Sequence, residues 1–257
     1  MIYLNDEKIV PTIFPDKTSQ IWKVKNIPTG YVVAKVVWIF ENEGEFLHLA
    51  QLKTLLDYYN VLYSKLTMHY LPYGRQDKEV SNDTTFALTT FAKLLNSLNF
   101  QKVTIVDPHS PVASTLIHNC EEWYPQDYIN SVMFTCKTDV VCYPDDGAYC
   151  KYVPMYQFSQ PHIHGEKVRD QLTGNITSYK LINDLGNLGN IVGKSIMIID
   201  DICDGGMTFK LLAKDLLAAG AKEVNLFVTH GIFSKGLKTL KDSGINRIFT
   251  QDGEKSE

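Results

Sequence analysis

The chain has 257 residues, 44% of them hydrophobic and 21% charged, with a formal net charge of −4. That length allows one large domain or two modest ones around a real hydrophobic core, and the charge balance argues against non-specific nucleic-acid binding as the main task. No apolar run approaches the roughly 18 residues of a membrane span, and no basic segment leads an apolar one at the amino terminus, so neither membrane insertion nor secretion is expected.

From the amino terminus, "YVVAKVVWIF" (31–40) is rich in β-branched and aromatic residues and predicts a buried strand. "EFLHLAQLKTLLDYYNVL" (45–62) follows with apolar residues at helical spacing. "KLTMHYL" (65–71) predicts a second strand, and 72–83 a polar loop. A helix over 84–98 and the strand "KVTIVD" (102–107) complete the next unit. The rhythm breaks at 120–138, where "CEEWYPQDYINSV" is mixed in character. It resumes with "DVVCYP" (139–144), a helix from near Asp146, and a strand "YVPMYQF" (152–158). The polar stretch 159–175 predicts a long exposed loop. "KSIMIID" (194–200), a helix over 206–219, "EVNLFVTH" (223–230) and a last helix and strand follow, with a polar tail "DGEKSE". Strand–helix alternation of this kind predicts an α/β fold with mainly parallel sheets. We place two domains, 1–125 and 126–257, with the boundary inside 120–138.

The five cysteines (Cys120, Cys136, Cys142, Cys150, Cys203) form an odd set without a C-x-x-C pair. They suggest neither a disulfide framework nor a zinc site, and read as free thiols of a reducing cytoplasm.

The stretch "IMIIDDICDGGMTF" (196–209) ends an apolar strand on two carboxylates, Asp200 and Asp201, with Asp204, Gly205 and Gly206 close behind. In open α/β sheets, ligands sit beyond the carboxyl ends of the strands. The helix that opens near Met207 and Thr208 offers N–H groups to a phosphate, while carboxylates suit the vicinal hydroxyls of a sugar or a magnesium ion. A ribose 5-phosphate satisfies both halves. The alternative makes Asp204 a helix cap and the other two aspartates solvated strand-end charges.

This stretch resembles the phosphoribosyl-diphosphate loop shared by type I phosphoribosyltransferases and ribose-phosphate pyrophosphokinases. Further segments are similar to the pyrophosphokinases in particular: "IFPDKTSQIWKV" (13–24), "YLPYGRQDKE" (70–79), "VDPHSP" (106–111), "YPDDGA" (143–148) and "VTHGIFS" (228–234). The resemblance runs in order from residue 13 to about 234. It implies two phosphoribosyltransferase-like domains, each with a mainly parallel sheet flanked by helices. It also implies transfer of the β,γ-diphosphate of ATP to the anomeric hydroxyl of ribose 5-phosphate, with magnesium as cofactor and AMP as leaving group.

The resemblance assigns Phe14 and Asp16 to ATP, completed from a neighbouring subunit, so a homo-oligomer (dimer or higher) is expected. Arg75, Gln76 and Asp77 fall on its phosphate side; an ordinary surface ion pair is the alternative for Arg75. His109 falls among the catalytic residues, as a metal ligand or phosphate donor, with a merely structural histidine as the alternative; Asp145 falls on the metal side, and Asp146 either shares that role or caps the next helix. Lys167 and Arg169 match the two cations of a mobile catalytic loop, for which a merely solvated loop is the alternative. Asp200, Asp201, Asp204, Gly205, Gly206, Met207 and Thr208 would hold the ribose phosphate. Such a reaction is run by positioning and charge neutralisation.

Three departures stand out. The family's loop usually reads D-D-x-x-D-T-x-G-T, so Gly205 replaces a threonine and Met207 a glycine. Thr18 stands where an acidic residue is expected, and Val80 where an aspartate is common. The chain ends soon after "INRIFT", so the family's hexamer and its allosteric phosphate/ADP site are not carried over. The altered loop admits an acceptor extended at the 5-position, such as ADP-ribose. A type I phosphoribosyltransferase would need neither R-Q-D-K nor V-D-x-H. An inactive regulatory homologue would lose the charged residues retained here.

Overall fold

A computed structural model describes residues 1–30, 32–79, 81–156, 158–169, 176–183 and 191–256. It divides into two units, Met1–Tyr124 and Pro125–Glu257.

In the first unit, β1 (Ile2–Leu4) and β2 (Glu7–Ile9) form a hairpin whose two turn residues, Asn5 and Asp6, both have positive φ (47° and 68°). Asparagine and aspartate tolerate that region, and the turn's twist matches the paired strands. A separate ribbon pairs β3 (Pro11–Ile13) with β4 (Ser19–Ile21). Then come β5 (Val33–Trp38), α1 (Glu45–Tyr58), β6 (Tyr63–Met68), α2 (Ala87–Ser97), β7 (Lys102–Val106), α3 (Val112–Leu116) and β8 (Cys120–Trp123). The sheet order is β2-β1-β5-β6-β7-β8, with β5 to β8 parallel. Ala34, Val36 and Trp38 alternate inward along β5 and meet Leu49, Leu52 and Leu56 of α1, at helical spacing. Each such leucine contributes about 1.5–3 kcal/mol by leaving water. The Trp38 indole N–H donates to buried Glu45 at 2.9 Å, fixing the start of α1 over the strand end.

The second unit runs α4 (Gln126–Thr135), β9 (Val140–Tyr143), α5 (Asp146–Tyr152), β10 (His162–Arg169), β11 (Ile176–Asn183), β12 (Ser195–Cys203), α6 (Met207–Ala218), β13 (Glu223–Gly231), α7 (Lys238–Lys241), β14 (Ile245–Thr250) and β15 (Gly253–Glu254). Its sheet has the order β11-β10-β9-β12-β13-β14-β15, and all but the two edge strands are parallel. Residues 195–199 are buried without a break, as a central parallel strand requires. From β9 the chain moves outward to β10 and β11, then crosses back to β12 on the other side. The direction of winding therefore reverses between β9 and β12, where open sheets form a crevice.

Two expectations fail here. Of the expected strand 152–158, residues 152–156 and 158 are not in a strand and 157 lies outside the described residues: Tyr152 closes α5, and its ring stacks on that of Tyr156 at 5.1 Å and 5°. Helical i,i+4 spacing, rather than strand alternation, organises those apolar residues. Within the expected long loop of 159–175, residues 162–169 instead form β10, paired in parallel to β9 and antiparallel to β11, while 170–175 lie outside the described residues. All five cysteines are free, and no helix among the described residues is long and apolar enough to cross a membrane.

Candidate functional site

The β12 strand runs three residues past its expected end, so Asp200 and Asp201 lie within it, still paired to β13 as far as Cys203 opposite Gly231. Asp201 is only 5% exposed, which removes the reading of a solvated strand-end charge. Its N–H donates to Asp200 Oδ1 at 2.9 Å, and Lys151 Nζ lies 3.8 Å from its own Oδ2. Burial, then the charges of Asp201 and Asp145, push the Asp200 carboxyl well above the usual carboxylate range. Two acids held this close, one buried and one half-buried, favour a shared proton, a cation, or hydroxyl donors between them.

Beyond the strand, Cys203 O accepts from the N–H groups of Ile232 and Phe233 at 2.8 and 3.1 Å, which ties the turn to the segment after β13. Gly206 sits at φ +73°, and a Cβ there would meet Leu240 Cδ2 at 2.7 Å, so only glycine fits. It is the N-cap of α6 and has no side chain of its own with which to cap that helix. First-turn N–H groups at such a glycine-led helix start suit an anion. Gly205 and Thr208 are half-buried beside them, and Met207 is 60% exposed. Burial and the charges of Asp200 and Asp204 push the Cys203 thiol up to about 12, leaving it inert.

At the end of β9, Asp145 caps α5 by accepting from Ala148 N–H at 3.0 Å. The cap is therefore Asp145, and Asp146 instead meets His164 Nε2 at 2.9 Å. The His164 ring also lies 4.6 Å from that of Tyr149. His164 and Lys151 thus join this acidic cluster although the sequence reading assigned neither. The only available signal was the H-x-H spacing of 162–164, which puts both histidines on one strand face. Lys167 and Arg169 lie on the β10 backbone, opposite Tyr179 and Ile176. Their side chains lie outside the described residues.

In the first unit, Arg75 and Gln76 are exposed and Asp77 half-buried on a turn after β6. Gln76 N–H donates to Tyr73 O at 2.9 Å, and Gln76 O accepts from Leu88 N–H at 3.2 Å, which fastens the turn to the start of α2. Val80 lies outside the described residues. His109 is exposed on the loop after β7, two residues beyond Asp107, which is buried at φ 42° with its N–H on Trp123 O at 2.8 Å. Phe14, Asp16 and Thr18 form the tip of the β3–β4 ribbon. Thr18 donates its N–H and hydroxyl to Asp16 Oδ1 at 3.0 and 2.7 Å, which holds the Asp16 carboxyl below its ordinary value. The second unit therefore brings together Asp145, Asp200 and Asp201. Arg75, Gln76 and Asp77 share one turn, while His109 and the Phe14–Asp16 tip sit on separate loops of the first unit.

Among the described residues, no group of three or more His, Cys, Asp or Glu is arranged to hold a metal. Magnesium does not need such a group, since it keeps most of its water and takes one or two carboxylates alongside substrate phosphates, as Asp145 or Asp201 could supply.

No family model matches the chain. It is 27% identical over 181 residues to the ribose-phosphate pyrophosphokinase of Mycoplasmopsis pulmonis, covering 69% of this chain and 55% of that protein. It is 25% identical over 249 residues to that of Saccharolobus solfataricus, covering 94% and 82%. Its fold matches the crystal structure of phosphoribosylpyrophosphate synthetase from Mycobacterium smegmatis with a TM-score of 0.77 at 18% identity, covering 95% and 79%.

Proposed function

We propose that this chain, which is distantly homologous to the ribose-phosphate pyrophosphokinases over most of its length, is a magnesium-dependent pyrophosphokinase acting on a 5-phosphorylated ribose. The observation that carries this reading is the pair of adjacent carboxylates at the end of β12, buried Asp201 and half-buried Asp200, next to the glycine turn that opens α6. Carboxylates accept from the two ribose hydroxyls, and the α6 N–H groups and Thr208 hold the 5-phosphate.

In the reaction, the anomeric oxygen forms a bond to the β-phosphorus of ATP. The bond from that phosphorus to the α,β-bridging oxygen breaks, and AMP leaves with the oxygen. Arg75 grips phosphate oxygens through its planar fork, with Gln76 as a neutral donor and Asp77 ordering the turn. Lys167 and Arg169 offset charge as it develops on the transferring diphosphate. Bound magnesium would supply charge neutralisation at the same oxygens, with Asp145 and His109 as the residues of this chain toward it. Phe14 and Asp16 meet adenine from a neighbouring copy, which makes the enzyme a homo-oligomer.

Two acceptors fit the loop. Ribose 5-phosphate is the simpler; ADP-ribose is favoured by Met207, an exposed side chain where the resembling loops have glycine. Incubation with ATP, magnesium and each acceptor, read by mass spectrometry, tests the proposal. AMP together with an acceptor heavier by a diphosphate supports it and identifies the acceptor. No AMP with either acceptor sinks it, and reaction with ribose 5-phosphate alone removes the extended acceptor.

A further inference from the structure

The first unit contains a cavity that none of these roles uses. It lies beyond the carboxyl ends of β5 and β6, measures about 420 Å³, and is walled by Trp38, Phe40, Phe46, Tyr73 and Phe91, with Glu43 as its one charged lining residue. Neighbouring rings brace one another: Trp38 with Phe40 at 5.7 Å, Phe46 with Phe91 at 5.8 Å, Tyr73 with Phe91 at 5.4 Å. The volume falls in the range of small-molecule sites, as does an aromatic wall carrying one placed polar group.

Tyr73 adds a second observation. It holds φ +62°, a region that bulky residues avoid, and its hydroxyl donates to Glu43 Oε1 at 2.5 Å. Backbone strain of this kind, of order 1–3 kcal/mol, persists where the surroundings enforce it and concentrates at ligand sites. The strain is spent here on aiming a tyrosine ring and a carboxylate at the same space.

We propose that this cavity binds a flat aromatic ring carrying N–H donors or a positive charge, and rejects anionic rings. Ring faces supply stacking and attract a cation, and Glu43 accepts from the N–H groups while repelling a carboxylate. An occupant that holds Tyr73 also holds Gln76, whose N–H donates to Tyr73 O at 2.9 Å. The site then steadies or shifts the Arg75–Gln76 turn, a consequence that rests on the phosphate role proposed for that turn.

Saturation-transfer NMR on the full chain tests binding directly, with benzamidine, indole and benzoate as probes, so its outcome is independent of catalysis. Benzamidine and indole should receive saturation and benzoate should not. Glu43→Gln should weaken benzamidine by about tenfold and leave indole within about threefold, because only the cation loses a pairing with the opposite charge, while the glutamine oxygen still accepts from the indole N–H. Thr90→Phe, which fills the cavity from α2, should abolish both signals; Thr90 is an exposed lining residue. Should that variant misfold by circular dichroism, the Glu43→Gln comparison decides alone. Equal binding of benzoate, no binding of any probe, or benzamidine binding indifferent to Glu43→Gln overturns the proposal. So does a dimer that Thr90→Phe dissociates while no probe binds, since the cavity then receives a second copy.

Discussion

Asp201 donates its backbone N–H to the carboxylate of Asp200 at 2.9 Å, and at the end of β12 Asp201 is buried and Asp200 half-buried. Burial and the charges of Asp201 and Asp145 raise the Asp200 carboxyl well above its ordinary value. In the unfolded chain it titrates near about 3.9. The folded state therefore keeps a proton that the unfolded state has released. Stability from this group is complete below the unfolded value and is lost as pH rises through the folded value.

Asp200→Asn removes that loss. Urea unfolding in magnesium-free buffer should show the variant gaining on wild type as pH rises above about 4, by roughly 1.4 kcal/mol per unit of raised pKa. Parallel stability curves for the two proteins would show that Asp200 titrates ordinarily.

Asp201→Asn should raise the acceptor KM by about tenfold or more and change ATP affinity little, because a carboxylate accepting from ribose hydroxyls contributes about 1.5–3 kcal/mol. Steady-state kinetics with acceptor varied checks this. An unchanged acceptor KM and rate would take Asp201 out of the acceptor site.

Gly206→Ala should destabilise the chain by about 1–3 kcal/mol, since alanine meets both the φ of +73° and Leu240 Cδ2 at 2.7 Å. A thermal unfolding midpoint equal to wild type would show that the turn relaxes freely.

Lys167→Ala should lower turnover about 100-fold or more while the apparent ATP affinity stays within about threefold, because the contact strengthens as charge moves onto the leaving oxygens. Turnover near wild type removes Lys167 from catalysis.

The central strands were legible because β5 and β12 carry unbroken or alternating apolar residues, and α1 and α2 place leucines at helical spacing. The β10 strand was not. "HIHGEKVR" has no apolar period, and it stays extended because β9 and β11 pair with its backbone on both sides. Tyr152 and Tyr156 misled for the opposite reason, since aromatic residues that favour strands here stack across a helix end. At the site, the D-D-x-x-D-G-G pattern marked the strand end and its turn. The extension of β12 to Cys203 and the approach of His164 to Asp146 depend on which strands neighbour which. That order was not written in any local pattern.

The most direct test of the proposed reaction follows the diphosphate itself. With ATP labelled at both the β- and γ-phosphorus and with each acceptor in turn, phosphorus NMR and mass spectrometry should show both labels moving together onto the acceptor. AMP should form in equal amount. ADP with a singly phosphorylated product, or labels released as free phosphate, would contradict transfer of an intact diphosphate by this chain.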